Sequence, residues 1–113
     1  MPIKSVADLI ILLLHAKGKI TKTQLEKLIY SLSEKQLFND IISNEVSSME
    51  QIGYLIDDLI ECLKEMKIVS IRNDIYSLTA DRGLRVAEML TTKASQEEIQ
   101  IIECEECEKS AIK

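Results

Sequence analysis

The cysteines and the lone histidine could in principle bind a metal or do redox chemistry, but their spacing argues against both. Cys104 and Cys107 form one C-x-x-C pair within the run Glu-Cys-Glu-Glu-Cys-Glu. Tetrahedral zinc needs four ligands, and the other soft ligands, Cys62 and His15, lie far away in apolar segments. The nearby glutamates oppose the lowered thiol pKa that redox activity needs. We therefore expect no metal and no cofactor, and we interpret Cys104 and Cys107 as small apolar side chains on the buried stripe of a terminal helix.

Catalytic motifs are absent from the sequence. His15 is its only histidine, and no motif supplies the orienting acid and the nucleophile that a catalytic histidine needs. There is no Gly-rich phosphate loop, no G-x-S-x-G motif and no paired metal–carboxylate motif. We predict that the protein is not an enzyme.

Basic residues offer a different chemistry, which is contact with phosphate groups. Lys17, Lys19 and Lys22 cluster between the first two predicted helices, and Arg72 lies in a predicted hairpin, where an arginine can enter a minor groove. The lysine cluster is equally typical of a phosphate-binding patch and of an ordinary solvated loop.

Length and charge indicate one domain with an acidic end. The chain has 113 residues and a net charge of −5. Residues 1–93 hold 12 Lys/Arg and 13 Asp/Glu, whereas residues 94–113 hold 2 Lys and 6 Glu. We therefore divide the chain into a main domain, residues 1–93, and an acidic C-terminal helix or tail, residues 94–113.

Hydropathy and cysteine content bear on location. The longest apolar run, Leu9 to Leu14, has six residues and is too short to span a bilayer, so it predicts a buried helix and no membrane association. No targeting segment is evident. The three cysteines, an odd number, fit a reducing compartment, and we expect a cytoplasmic protein.

Apolar residues at helical spacing predict four helices before the period changes. The first, about Ser5–Ala16, is apolar on nearly every side and should be buried on more than one face. The others are about Lys22–Leu32, a short helix carrying Leu37, Phe38, Ile41 and Ile42, and a long helix of about Met49–Lys67. Its buried stripe is predicted to be Ile52, Leu55, Ile56, Leu59, Leu63 and Met66. The expected N-terminal caps are Ser5 with Asp8, Thr21 with Gln24, Ser33 with Gln36, and Ser47 or Ser48.

The period then changes from 3.6 to 2, which predicts a β-hairpin. Its strands are Ile68–Ile71 and Ile75–Leu78, joined by a turn at Asn73-Asp74. Thr79 is expected to cap a following helix, and Ser95 with Glu98 to cap a last, acidic one. The predicted fold is mainly α with a small β-hairpin.

Two segments of this pattern resemble winged helix-turn-helix transcription regulators, in general pattern those of the MarR and PadR types and related archaeal families. One is Tyr54-Leu-Ile-Asp-Asp-Leu-Ile-Glu-Cys-Leu-Lys-Glu-Met-Lys-Ile-Val69 with Ile75-Tyr-Ser-Leu-Thr79, Gly83 and Leu84; the other is Ile20-Thr-Lys-Thr-Gln-Leu25. Lys67 stands where the family prefers glycine. The resemblance covers about Ser5 to Leu90 and implies a winged-helix domain with a C-terminal helix, in which the long helix reads double-stranded DNA and the hairpin forms the wing.

The resemblance is compatible with two functions, and the charges on the long helix distinguish between them. A DNA-binding regulator would use as its nucleic-acid-binding residues Lys17, Lys19, Lys22, Ser48, Gln51, Tyr54 and Arg72. However, no Lys or Arg occurs between Lys35 and Lys64, and a helix in a DNA groove needs cations near its carboxylates. The alternative is a protein-interaction module that binds a basic protein partner, not DNA, through Glu50, Asp57, Asp58 and Glu61.

The apolar surface predicts a homodimer. A lone domain of this length has limited core to cover a first helix that is apolar on all sides. The C-terminal segments carry more apolar residues than a small wing needs: Val86, Met89, Leu90, Ile99 and Ile102. We expect a dimer built from the first helix and the C-terminal helices.

Overall fold

The computed structural model describes residues 3–105 and is mainly helical with one small antiparallel sheet, as the sequence predicts. Its elements, in chain order, are α1 Val6–Lys17, β1 Lys19–Thr21, α2 Lys22–Ser33, α3 Gln36–Ser43, a 3-10 turn Met49–Gln51, α4 Ile52–Glu65, β2 Val69–Arg72, β3 Ile75–Leu78, α5 Arg82–Lys93 and α6 Gln96–Cys104. None of the helices within this range combines the length and the hydropathy needed to cross a bilayer.

Three of the predicted helix starts are confirmed by side-chain caps. The Ser5 hydroxyl accepts a hydrogen bond from the Asp8 amide at the start of α1. Thr21 with Gln24 and Ser95 with Glu98 form complete capping boxes, in which each side chain bonds the backbone amide of the other residue. At the end of α1, Gly18 takes a φ of 89°, which glycine adopts without strain.

Two other predicted caps are wrong. Helix α3 begins after Lys35 with no side-chain cap, so Ser33 does not cap it. Helix α4 begins at Ile52, after the 3-10 turn, with no side-chain cap from Ser47 or Ser48. Instead, the Gln51 side-chain oxygen accepts a hydrogen bond from the Ser47 amide at 2.9 Å. The bond thus runs from a side chain at the end of the 3-10 turn to the backbone before it, and not from a serine side chain to the helix.

Helix α4 ends at Glu65, two residues before the predicted end, because Lys67 adopts a left-handed conformation with a φ of 65°. Glycine takes this conformation at little cost. The position where the winged-helix pattern prefers glycine is therefore one where this backbone has a positive φ.

The sheet contains one strand that the sequence did not predict. The strand order is β1-β3-β2, so β3 pairs with both neighbours, Lys19 opposite Ser77 on one side and Ser70 opposite Ser77 on the other. Strand β1 has only three residues, too few for a period of 2 to show. Asn73 and Asp74 close the β2–β3 hairpin with φ values of 52° and 64°, as expected of a two-residue turn.

Helix α1 is the centre of the core. All of its apolar residues from Leu9 to Leu14 are buried, because α2, α5, α6 and the sheet surround it. The single chain therefore covers α1, and the expectation that a second copy is needed to cover it is wrong. The homodimer itself stays a prediction.

Two side chains expected to be buried are exposed. Met66 is 53% exposed because α4 has ended, and Ile60 joins Ile52, Ile56 and Leu63 in the buried stripe instead. Cys104 is an exposed free thiol at the last residue of α6, not part of a buried stripe. Cys107 lies outside the described residues.

Candidate nucleic-acid interface

The predicted cluster of Lys17, Lys19 and Lys22 is divided by the fold, and Lys17 is used inside the protein. Its Nζ donates to the backbone carbonyl of Glu103 at 3.1 Å and to that of Glu105. These carbonyls lie at the C-terminal end of α6, where a cation is favoured by the helix dipole. The Lys17 ammonium group therefore holds α6 against α1 and does not offer its charge to a phosphate.

Lys22 is paired with an acid that was predicted to bind a protein partner. Its Nζ lies 2.9 Å from Oδ1 of Asp57 on α4 and 3.8 Å from Oε2 of Glu26 on its own helix. The hydrogen bond to Asp57 is the main cause that raises the pKa of Lys22 above 10.5. Lys22 and Asp57 therefore join α2 to α4, and each neutralises the other. Close by, burial raises the pKa of the Tyr76 hydroxyl, and the negative charge of Asp57 adds to this.

Lys19 and Arg72, in contrast, come together on the outer face of the sheet. Pairing through β3 places Lys19, Ser77 and Ser70 in one row across the sheet, and Thr21, Ile75 and Arg72 in the next. Because strand side chains alternate between faces, these six residues share the face opposite to buried Ile20 and Tyr76. The sheet thus brings together two candidate residues that are far apart in the sequence.

A groove of about 530 Å³ runs over this outer face. Its described lining consists of Lys19, Ser70, Arg72, Asn73, Ile75, Ser77, Leu78, Thr79 and Ala80. Two of these residues are cationic, three carry hydroxyl groups, and none carries a carboxylate. We define these lining residues as the sheet groove.

The candidate residues at the start of α4 form a different surface. The Gln51 side chain is used within the turn that precedes the helix, and the Ser48 carbonyl accepts the Gln51 amide at 3.1 Å. Tyr54 projects from α4 and is 75% exposed. Around it, Glu50, Asp58 and Glu61 are also exposed. We call these last three residues with Tyr54 the acidic face of α4, although Glu50 itself lies in the 3-10 turn just before the helix.

Sequence reasoning named Lys19 and Arg72 but missed the hydroxyl groups between them. Ser70 and Ser77 stand opposite each other in adjacent strands and are half-buried. Alternation along the hairpin already places Ser70 with Arg72 on one face. The missing information was β1, because only its pairing with β3 adds Lys19 to that face. Thr79 has another task, since its hydroxyl donates to the Lys67 carbonyl and accepts the Gly83 amide.

Metal ligands do not gather in the described part of the chain. Residues 3–105 contain no group of three or more His, Cys, Asp or Glu side chains that could hold a metal ion. His15 and Glu103 line a small cavity of about 40 Å³ between α1, α5 and α6, where their neighbours include Leu12 and Ile102.

Comparison with known proteins gives no match to a family model, to a curated protein or to a solved structure.

Proposed function

We propose that this chain is a winged helix-turn-helix protein that binds double-stranded DNA and acts in transcription regulation. The observation that carries the proposal is the order of its elements. Helices α2 to α4 are followed at once by the β2–β3 hairpin and then by α5, which is the order that the resemblance implies. Strand β1 pairs with β3, so the hairpin is anchored to the domain at the end of α1. Because one fold serves many functions, the surface chemistry must also support the proposal.

The distribution of available cations is the second support. Among the described residues, Lys17, Lys22, Lys35, Arg82 and Arg85 each bond to a carboxylate or a backbone carbonyl of the protein. Of the cations that no hydrogen bond or ion pair engages within residues 3–105, Lys19 and Arg72 are the two that line the sheet groove. Unengaged cations on an exposed surface are the groups that contact phosphate oxygens.

Salt dependence tests the proposal directly. Purified protein is titrated into a fluorescent duplex of random sequence at several NaCl concentrations, and anisotropy reports binding. Because each neutralised phosphate releases counterions, log K should fall linearly with log salt, with a slope of about −0.9 per phosphate. Absence of binding at the lowest ionic strength would overturn the proposal of DNA binding.

A protein-interaction module is the second candidate function, and the acidic face of α4 favours it. No Lys or Arg precedes Lys64 on α4, and the exposed Tyr54 ring offers contact area of the kind found at interface hot spots. Charge complementarity selects a basic protein partner. Titration of lysine- and arginine-rich peptides, followed by backbone amide shifts, should move the α4 signals in the wild type. The shifts should weaken in the double variant Asp58→Asn with Glu61→Gln. The amide signals of helices other than α4 serve as the control and should not move.

We further propose a cytoplasmic protein with a binding role and no catalytic one. The two described cysteines, Cys62 and Cys104, are exposed free thiols, which supports a reducing compartment.

A further inference from the structure

We infer that the sheet groove, and not the acidic face of α4, is the surface that contacts the DNA backbone. The inference rests on the proposed DNA binding and names the surface that performs it. Lys19 and Arg72 supply positive charge, and the serine hydroxyls between them supply hydrogen-bond donors. DNA would then lie across the sheet, with α4 turned away from its grooves.

The register of the sheet gives the groove a spacing that suits an extended polyanion. Lys19 and Arg72 are on the two outer strands, so two strand separations, roughly 10 Å, lie between them. They also occupy neighbouring rows, about 7 Å apart along the strands. Lysine and arginine side chains are long enough to converge from these positions on one backbone or to reach two successive phosphates.

The serines fill the space between the cations. Ser70 and Ser77 are directly opposite each other, in the same row as Lys19. Serine hydroxyls commonly donate to phosphate oxygens, and they fix the register of a backbone without reading its sequence. The hairpin turn adds Asn73, whose left-handed conformation places it at the rim of the groove.

The charges on the two surfaces exclude α4 from the same role. The described lining of the groove has two cations and no carboxylate, whereas the acidic face has three carboxylates and no cation. A helix in a DNA groove is flanked by phosphates on both sides, so these carboxylates would be repelled. Asp57 is already neutralised by Lys22, so this lysine is not available to offset the neighbouring carboxylates.

The experiment is a salt titration of matched charge variants with the random-sequence duplex. Lys19→Gln, Arg72→Gln and their combination remove the groove cations. Lys64→Gln and Lys93→Gln remove an equal charge from exposed positions on α4 and α5. Each groove substitution should lower the magnitude of the salt slope by about one unit, and the double variant by about two. The control variants should keep the wild-type slope. Thermal unfolding of each variant establishes that the fold is intact.

Amide shift mapping supplies the second measurement. On addition of the duplex to wild-type protein, the signals of Ser70, Ser77 and Lys19 should move, and those of Asp58 and Glu61 should not. If the wild type binds DNA but the groove variants keep its slope and the α4 signals move, the inference is overturned while DNA binding stands. If the wild type shows no salt-dependent binding at all, both are overturned.

Discussion

Lys67 has a backbone conformation that residues other than glycine adopt at a cost. Its φ of 65° lies in the left-handed region, between α4 and β2. For an L-residue other than glycine, this conformation costs about 1–2 kcal/mol in the folded protein. Replacement by glycine removes that cost, but it also adds conformational entropy to the unfolded chain, which reduces the gain in stability by about 0.5–1 kcal/mol. We therefore predict that Lys67→Gly raises the free energy of unfolding by roughly 0.5–1 kcal/mol, measured by urea denaturation.

The control for Lys67→Gly is Lys64→Gly, which also removes one lysine but lies within α4. Glycine within a helix is less favourable than other residues by up to about 1 kcal/mol, and the Lys64 charge also favours the C-terminal end of α4, so this variant should lose stability. Equal destabilisation by both substitutions would contradict the assignment of strain to Lys67.

Gly83 is required for steric reasons at the start of α5. A Cβ at this position would lie 2.3 Å from the carbonyl oxygen of Ile68, a backbone atom that cannot move without disturbing β2. That carbonyl also accepts the Thr79 amide at 2.9 Å. We predict that Gly83→Ala destabilises the protein by about 1–3 kcal/mol, as overpacking does, with a corresponding fall in the melting temperature.

Gly53 provides the matched comparison for Gly83. A Cβ at Gly53 would lie 2.9 Å from Oε2 of Glu26, the end of a flexible side chain that can rotate away. Gly53→Ala should therefore change stability little, or raise it through the better helix propensity of alanine. A loss at Gly53 as large as that at Gly83 would show that the short contact with Ile68 is not the cause.

At the scale of elements, the Lys22–Asp57 pair is a link between α2 and α4 whose strength should depend on pH. The pKa of Lys22 is raised in the folded protein, so its protonated form is favoured by folding. The contribution to stability is complete below the unfolded-state value of 10.5 and is lost as pH rises through the higher folded-state value. Lys22 is 38% exposed, so solvent limits the coupling to about 0.2–1 kcal/mol.

A double-mutant cycle of Lys22→Gln and Asp57→Asn measures this coupling. The coupling should be present at pH 7 and should vanish at pH values above the folded-state pKa of Lys22. The cycle is needed because Lys22 and Asp57 also act on Tyr76, whose pKa is raised in the folded protein, and the cycle removes the separate effect of each substitution on that hydroxyl. A coupling that persists after the lysine has lost its proton would show that the two side chains interact by means other than charge.

Strand β1 shows why an element can escape sequence analysis. Lys-Ile-Thr contains one apolar residue, and its Thr21 also caps α2, so the local pattern indicates a loop before a helix. What makes these residues a strand is β3, which begins 54 positions after Thr21 in the sequence and pairs with them. The hairpin was predictable because its two strands and their turn are adjacent in the chain.

At the scale of the whole molecule, the predicted homodimer needs a surface other than α1, which the chain covers by itself. Helix α5 offers one, since Leu84 is 40% and Met89 is 52% exposed. These two side chains are five residues apart and so lie on different sides of α5. We predict a dimer with α5 at its interface at micromolar concentration, and a monomer for Leu84→Glu with Met89→Glu. Sedimentation equilibrium measures both masses.

The control for the dimer is Leu37→Glu on α3, because Leu37 is 39% exposed and thus matched to Leu84. This variant should keep the dimer mass. A monomeric wild type would contradict the proposal of a homodimer. If the double variant on α5 is still a dimer, the interface lies on another surface.

For the candidate site, the sequence was enough to predict single residues but not how they are grouped. Lys19 and Arg72 were recognised as exposed cations in turns or loops, and this needed only residue type and local pattern. Alternation along the hairpin was enough to place Arg72 with Ser70, but the addition of Lys19 to that face could not be foreseen, because it depends on the pairing of β1 with β3 and on its register. Nor could the loss of Lys17 and Lys22 from the cluster, because their partners lie on α6 and α4.

The sequence by itself determined the helices, three of their N-terminal caps and the hairpin. The helices and their caps depend on residues within about four positions of one another. The hairpin depends on two strands that are adjacent in the chain and joined by a two-residue turn. The tertiary structure alone decided that β1 joins the sheet, that α1 is covered within one chain, and which lysines pair with other groups of the protein. Each of these outcomes depends on contacts between segments distant in the chain, because burial and ion pairing are fixed only when those segments pack together.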